Sequence, residues 1–238
     1  MAHLTLDKDP STLSKMFDRI SSKYDRLNQL MTFGIVDLWY KKLVETMRPA
    51  RPKILLDIAT GTATFAIKML QRLPSICHIT GLDISTEMLE IAKTRVRQEG
   101  YERDISFVQG EVSHLPFDAE TFDAVTCSLG IRNFQDLTAA FTEAYRVLKP
   151  CGHFYILELT RPQKRIIRPF YKLYIHKVLP FLGKQFAQDR SAYEYLYKSI
   201  ESMPLLDELV TLLYRAGFKS VSYRPLTQEI ATLFTASK

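Results

Sequence analysis

LLDIATGTATFAI, residues 55–67, starts as a buried β-strand, turns at Gly61 and leaves as a helix. Strand, small-residue turn and helix form the opening unit of a doubly wound sheet, whose ligands sit at the carboxyl ends of the strands. A dinucleotide-binding turn needs three glycines, because its backbone has to approach a pyrophosphate closely. Here those positions are Gly61, Ala63 and Ala66. A methyl group on Ala63 is expected to crowd that approach, which disfavours a nicotinamide cofactor and points to a ligand with no phosphate in the turn.

Working outward, the pattern alternates from Lys53 onward. ILLDI (54–58), HITGLDI (78–84), ISFVQG (105–110), FDAVTCSL (122–129) and HFYILEL (153–159) read as strands. Between them FAIKMLQRL (65–73), TEMLEIAKTRV (86–96) and LTAAFTEAYRVL (137–148) have helical apolar spacing. Ser85 and Asp136 are placed to cap the last two, and KPCGH (149–153) reads as a stop and turn. Upstream, residues 11–47 read as helical, with Leu13, Phe17, Ile20, Tyr24, Leu27 and Met31 on one face. The alternation breaks over 160–203, then resumes as a helix (205–218) and two strands, SVSYRPL (220–226) and IATLFTA (230–236). The expectation is an α/β fold: a doubly wound, mostly parallel seven-stranded sheet in a single domain spanning 1–238. Within it fall an N-terminal helical cap (1–50), a cofactor-binding core (53–159), a helical lid insertion (160–203) and a C-terminal helix with strands (204–238).

Composition sets outer bounds. With 238 residues, 46% hydrophobic and 24% charged, the chain can bury a sizeable core. A net charge of +6 fits an anionic surface nearby without requiring one. Cys77, Cys127 and Cys151 lack zinc or redox spacing and the five histidines are scattered, so no metal site and reduced cytosolic thiols are expected. The N-terminus MAHLTLDKDP has no export signal, and no apolar run approaches the roughly 20 residues that span a bilayer. A cytoplasmic location follows as the expectation.

The second strand ends at Asp83, 22 residues beyond Gly61, near the spacing at which an acid meets ribose hydroxyls. A ribose without a pyrophosphate fits S-adenosylmethionine. Its carboxylate and ammonium need backbone donors and an acid, which Gly61, Thr62 and Asp57 can supply. Glu111, after the third strand, can accept from the adenine amine. The end of the fourth strand, Ser128 to Asn133, should face the reacting methyl group. No Asn/Asp-Pro-Pro-aromatic motif of amine methylation is present, which favours a carbon or oxygen nucleophile. Read blandly, Asp57 and Asp83 are strand-end caps.

Further segments carry a specific likeness. MFDRISSKYDRLNQLMTFGIVDLW (16–39), LLDIATGTATF (55–65), GLDISTEML (81–89), LPFDAETFDAVTCSLGIRNF (115–134), AYRVLKPCGHFYILELTRP (144–162) and YEYLYKSIESMP (193–204) resemble, in order, signatures of the quinone-biosynthesis C-methyltransferases. The resemblance implies a Rossmann-like class I methyltransferase fold and S-adenosylmethionine-dependent methylation of a reduced polyprenyl quinone precursor. Demethylmenaquinol is the preferred substrate, with a methoxy-polyprenyl-benzoquinol as the alternative. It puts Thr62, Asp83, Glu111, Val112 and Ser128 at cofactor-contact positions. The chain departs from the family pattern at Ala63 and Cys151, where glycine is usual, and at Glu111-Val112, where Asn-Ala is commoner. Glu229 and Phe234 stand where the family has Gly and His, a departure at the substrate end.

A reduced quinone is a bis-phenol, and loss of a hydroxyl proton makes a ring carbon nucleophilic. A phenol of pKa about 10 needs help to ionise at neutral pH, and a nearby cation supplies it. Arg132 is the candidate, with Asn133 orienting the ring; Tyr24 and Asn28 either cover the cofactor or pack in the core. Residues 161–186 hold seven Lys/Arg interleaved with aromatics and no acid. Such a segment suits peripheral contact with the anionic inner face of a membrane, where a polyprenyl quinol resides, or else is a solvated lid. No nucleic-acid-binding module is recognisable, and a homo-oligomer stays open. Rival readings are a methyltransferase for another small aromatic, a non-catalytic member of the fold, and a nicotinamide-binding protein.

Overall fold

Strand β1 (Ile54–Ile58) is buried at four of its five positions, as a strand covered on both faces must be. In the computed structural model, which describes residues 8–175 and 190–238, it is the third strand of a seven-stranded sheet ordered β3-β2-β1-β4-β5-β7-β6. β2 (His78–Asp83), β3 (Ile105–Gln109), β4 (Phe122–Ser128) and β5 (Leu148–Leu159) run parallel to it. β7 (Ala231–Ser237) slots antiparallel between β5 and the edge strand β6 (Ser220–Leu226). The strand order reverses beside β1, where β2 and β4 flank it, and a crevice opens at their carboxyl ends.

Helices cover both faces. α3 (Val36–Met47), α4 (Thr64–Arg72) and α5 (Thr86–Gln98) pack Trp39, Leu43, Phe65, Met69 and Val96 against one face. α6 (Leu137–Val147) and, later in the chain, α9 (Leu206–Arg215) cover the other, where Phe141 meets Phe154 edge-on at 5.9 Å. Ser85 accepts from the Met88 N–H at 3.1 Å to start α5, and Asp136 accepts from Thr138 and Ala139 to start α6.

Two segments differ from the sequence reading. Residues 11–47 are a broken series: α1 (Pro10–Ile20), a 3₁₀ turn at Ser21–Lys23, α2 (Tyr24–Met31), then α3. Gly34, at φ +75°, provides the left-handed turn between the last two. KPCGH is absorbed into β5, whose pairing with β4 jumps from Phe122–Leu148 to Ala124–His153. Cys151 sits in that irregularity at φ +64°, so the turn became a bulge.

In the insertion, α7 (Ile167–Leu173) and α8 (Arg190–Glu201) are described. The basic, aromatic segment 161–186 falls partly outside the described residues, Lys177, Phe181, Lys184 and Phe186 among them. Among the described residues no helix is long and apolar enough to cross a membrane.

Candidate active site

The turn after β1 is left-handed at alternate residues: Ala59 (φ +54°), Gly61 (φ +57°) and Ala63 (φ +61°). This coil folds the backbone across the end of β2. Thr60 N–H donates to the Leu82 carbonyl at 3.0 Å and Gly61 N–H to Asp83 Oδ2 at 2.8 Å. Asp83 Oδ1 accepts from Ser85 N–H at 3.0 Å. Burial raises the Asp83 pKa, opposed by the Ser85 and Gly61 N–H groups. Ala63 is wholly buried among core residues. Its methyl packs inward, so the expected crowding of the ligand side has no basis in its position.

Asp57 lies beneath the turn, outside the lining of the cleft described next. Its two oxygens accept from Thr60 Oγ1 at 2.7 Å and Thr126 Oγ1 at 2.5 Å. Burial pushes its pKa up to about 6, against those two bonds.

A cleft of about 670 Å³, counting the open space at its mouth, begins at Gly61 and Asp83. Leu82, Met88, Val112 and Phe134 give it apolar walls, and Glu111 a second carboxylate. Ser113 donates to Glu111 through both its N–H, at 2.9 Å, and its hydroxyl. Leu13 and Phe17 of α1 and Tyr24 of α2 complete the enclosure. The Tyr24 ring lies 3.9 Å from where a Cβ on Gly61 would stand. Apolar faces for a base, with buried acid at the strand end for a vicinal diol, form a nucleoside slot, and an adenosine fits this donor set.

Thr62 and Ser128 are turned elsewhere. The Thr62 hydroxyl donates to Asp25 at 2.9 Å and accepts from Arg95 at 3.2 Å; Arg95 also binds Asp25 and Thr64 directly. This cluster ties α2, the turn and α5 together. Ser128 takes part in a hydrogen bond with the Tyr40 hydroxyl, whose pKa burial raises.

Two more hollows continue from the cleft. A narrow passage shares Phe17, Tyr24 and Asn133 with it. An apolar cavity of about 820 Å³, counted in the same way, shares Asn28, Met31, Arg132 and Leu196 with the passage. Trp39, Leu159, Tyr171, Tyr174 and Ile230 are among its walls.

Arg132 stands where passage and cavity meet. Its Nη1 donates to Glu158 Oε1 at 2.8 Å and to the Leu129 carbonyl. Burial opposes the charge, but Glu158 holds the guanidinium pKa above its ordinary value. Among the described residues neither Nε nor Nη2 has a hydrogen-bond partner, and Nε is fully buried. Asn133, on the same 3₁₀ turn (Ile131–Asn133), accepts at Oδ1 from the Tyr195 hydroxyl at 3.1 Å.

Several residues of this site carried no role in the sequence reading. Glu158 had a signal, an acid inside the apolar run HFYILEL. Lys8, half-buried on the cleft wall, had none; burial lowers its pKa, with Glu158 opposing. Glu229 lies outside the cavity lining and accepts from the Gln163 and Lys164 N–H groups at 2.7 and 3.2 Å, fastening the start of the insertion. Phe234 is buried in the core.

Five parallel strands with an antiparallel strand slotted beside the fifth, and a nucleoside-sized cleft at the end of the first two, define a Rossmann-like methyltransferase domain. The solved structure of the [4+2]-cyclase SpnF shares this fold, with a TM-score of 0.71 at 16% identity, covering 96% of each chain. The model of the ubiE/COQ5 methyltransferase family matches residues 5–238. The demethylmenaquinone methyltransferase of Porphyromonas gingivalis is 40% identical, over 94% of this chain and 91% of its own. The ubiquinone/menaquinone biosynthesis C-methyltransferase UbiE of Geotalea daltonii is 37% identical, over 95% and 96%. This chain belongs to the ubiE/COQ5 methyltransferase family.

Proposed function

We propose that this protein is an S-adenosylmethionine-dependent C-methyltransferase acting on a reduced polyprenyl quinone precursor, demethylmenaquinol. The observation that carries the reading is the line of three connected hollows, with the unsatisfied edge of Arg132 at their junction. A nucleoside slot, a narrow polar-edged passage and an apolar cavity correspond to donor, ring and prenyl tail.

When bound, S-adenosylmethionine supplies a methyl group on a cationic sulfur, open to attack by a nucleophile. Asp83 holds the ribose and Glu111 the adenine edge, between the apolar faces of Leu82, Met88 and Val112. Gly61 and the backbone of Thr62 receive the amino-acid end. Asp57 acts from beneath by holding Thr60 and Thr126, which shape the turn, and Ser128 acts through Tyr40. Arg132 and Asn133 meet the oxygen of the ring hydroxyl that ionises. A donor left without a partner in a buried site costs about 1–3 kcal/mol, and at Nη2 that cost is relieved when an anionic oxygen arrives. Charge stabilisation of this kind favours phenolate over phenol, the hydroxyl proton passing to water, and pushes electron density onto the adjacent ring carbon, which sheds its own proton to water once it carries the methyl group.

The mouth of the cavity carries exposed apolar groups, Phe33 at 68%, with Leu173 at 58% on the neighbouring helix. Lys164, Arg165 and Arg168 are exposed on the same segment of chain. A peripheral, cytoplasmic-face contact between residues 161–186 and anionic lipid follows, allowing a membrane-resident substrate to enter. Sedimentation with anionic vesicles at low salt tests this contact.

Turnover of Arg132→Ala and Arg132→Lys variants tests the chemical assignment. A fall of about 100-fold or more in kcat, with donor affinity kept, is expected for the alanine variant. Wild-type rates in that variant would remove Arg132 from the chemistry.

A further inference from the structure

Among the described residues, α8 reaches the reacting end of the site through a hydrogen bond from the Tyr195 hydroxyl to Asn133 Oδ1 at 3.1 Å. Asn133 occupies the wall common to the donor cleft and the passage, and Tyr195 lines the passage. A carboxamide has one acceptor oxygen and two N–H donors, and in isolation it can present either end. A tyrosine hydroxyl that donates to the oxygen breaks this symmetry. The amide nitrogen is then the end left over, and among the described residues it has no hydrogen-bond partner. On the preceding residue, Nη2 of Arg132 is a second donor with no hydrogen-bond partner among the described residues. Every unused group that these two residues bring to the wall is therefore a donor, as the oxygen of an ionising ring hydroxyl requires.

From this geometry we infer that Tyr195 is a positioning residue: it locks the Asn133 amide with its NH₂ toward the substrate oxygen, so that α8 completes the oxyanion-binding wall. The inference rests on the quinol reading above. It gives α8 a task distinct from enclosing the tail, because without the Tyr195 hydroxyl the amide is free to turn its oxygen toward a developing anion. Substrate could then bind, but the wall would meet the phenolate with a repelling carbonyl dipole.

The test is a double-mutant cycle on the full-length protein with Tyr195→Phe, Asn133→Ala and the pair, using S-adenosylmethionine and a reduced short-chain demethylnaphthoquinone. Phenylalanine keeps the ring and its packing, so thermal unfolding of Tyr195→Phe should match wild type and separate positioning from folding. Its kcat should fall roughly tenfold, with KM for the quinol and the donor Kd within about twofold of wild type. In the Asn133→Ala background the same change should have little further effect on kcat, since the kinetic effect of the hydroxyl runs through that amide. Wild-type kcat in Tyr195→Phe, or losses that multiply in the pair, would overturn the inference while leaving the quinol reading intact. A folded wild type that binds the donor yet methylates no quinol would defeat the reading and the inference together.

Discussion

Arg132 Nη1 and Glu158 Oε1 lie 2.8 Å apart, with the two side chains only 5% and 0% exposed. Glu158 also accepts from the Arg132 and Leu159 backbone N–H groups, at 3.1 and 2.7 Å. The carboxylate therefore fixes both the guanidinium and the backbone of the turn that carries it. Removing one partner of such a pair leaves a buried charge without compensation. Glu158→Ala is expected to lower the unfolding free energy by about 3–5 kcal/mol, measured by urea titration.

Stability should also respond to pH through Asp57. Its folded pKa of about 6 lies above the ordinary 3.8, so between these values the folded state binds more protons than the unfolded one. The contribution is fully present below pH ~4 and is lost as pH rises through ~6, amounting to roughly 3 kcal/mol. Urea midpoints measured for the donor-free protein should show this fall, and Asp57→Asn should flatten it.

Three positions where the family resemblance leads one to expect glycine have left-handed backbone here: Ala63 (φ +61°), Cys151 (φ +64°) and Glu229 (φ +75°). A non-glycine residue in that region carries about 1–2 kcal/mol of local strain. Cys151 is exposed and its side chain contributes no core packing. Cys151→Gly should therefore stabilise the fold by about 0.5–1 kcal/mol after the extra flexibility of the unfolded chain is subtracted, read as a higher urea midpoint. Glu229→Gly is expected to gain less, because the bonds to Gln163 and Lys164 go with the side chain.

Arg95 binds Asp25, Thr62 and Thr64 together and so holds α2, with Tyr24, over the Gly61 turn. Replacing it by Met keeps the stem and removes the fork. Calorimetric titration should show donor affinity falling about tenfold, with the unfolding midpoint little changed.

The sheet was legible because burial on both faces writes itself as short apolar runs between amphipathic helices, and all seven strands stand where those runs are. The stripe Leu13, Phe17, Ile20, Tyr24, Leu27 and Met31 was equally legible as a helix face, but its meaning was not. All six face a hollow: Leu13, Phe17 and Tyr24 line the cleft, and Phe17, Ile20, Tyr24, Leu27 and Met31 line the passage. Apolar spacing reports an excluded-water face and is silent on whether protein or ligand covers it. Asp83 and Glu111 could be placed on the cleft because strand ends converge there, and Val112 by the family resemblance. Thr62 could not, since one residue's step along a tight turn reverses the side chain, and here it points to Arg95. Tyr195 and Glu158 needed the tertiary fold, because each acts on a residue more than twenty positions away.

The most direct test supplies the purified protein with S-adenosylmethionine labelled in its methyl group and with reduced demethylmenaquinone. The label should appear on a ring carbon of the quinol, giving menaquinol. A folded protein that binds the donor and leaves the quinol unlabelled would contradict the assignment.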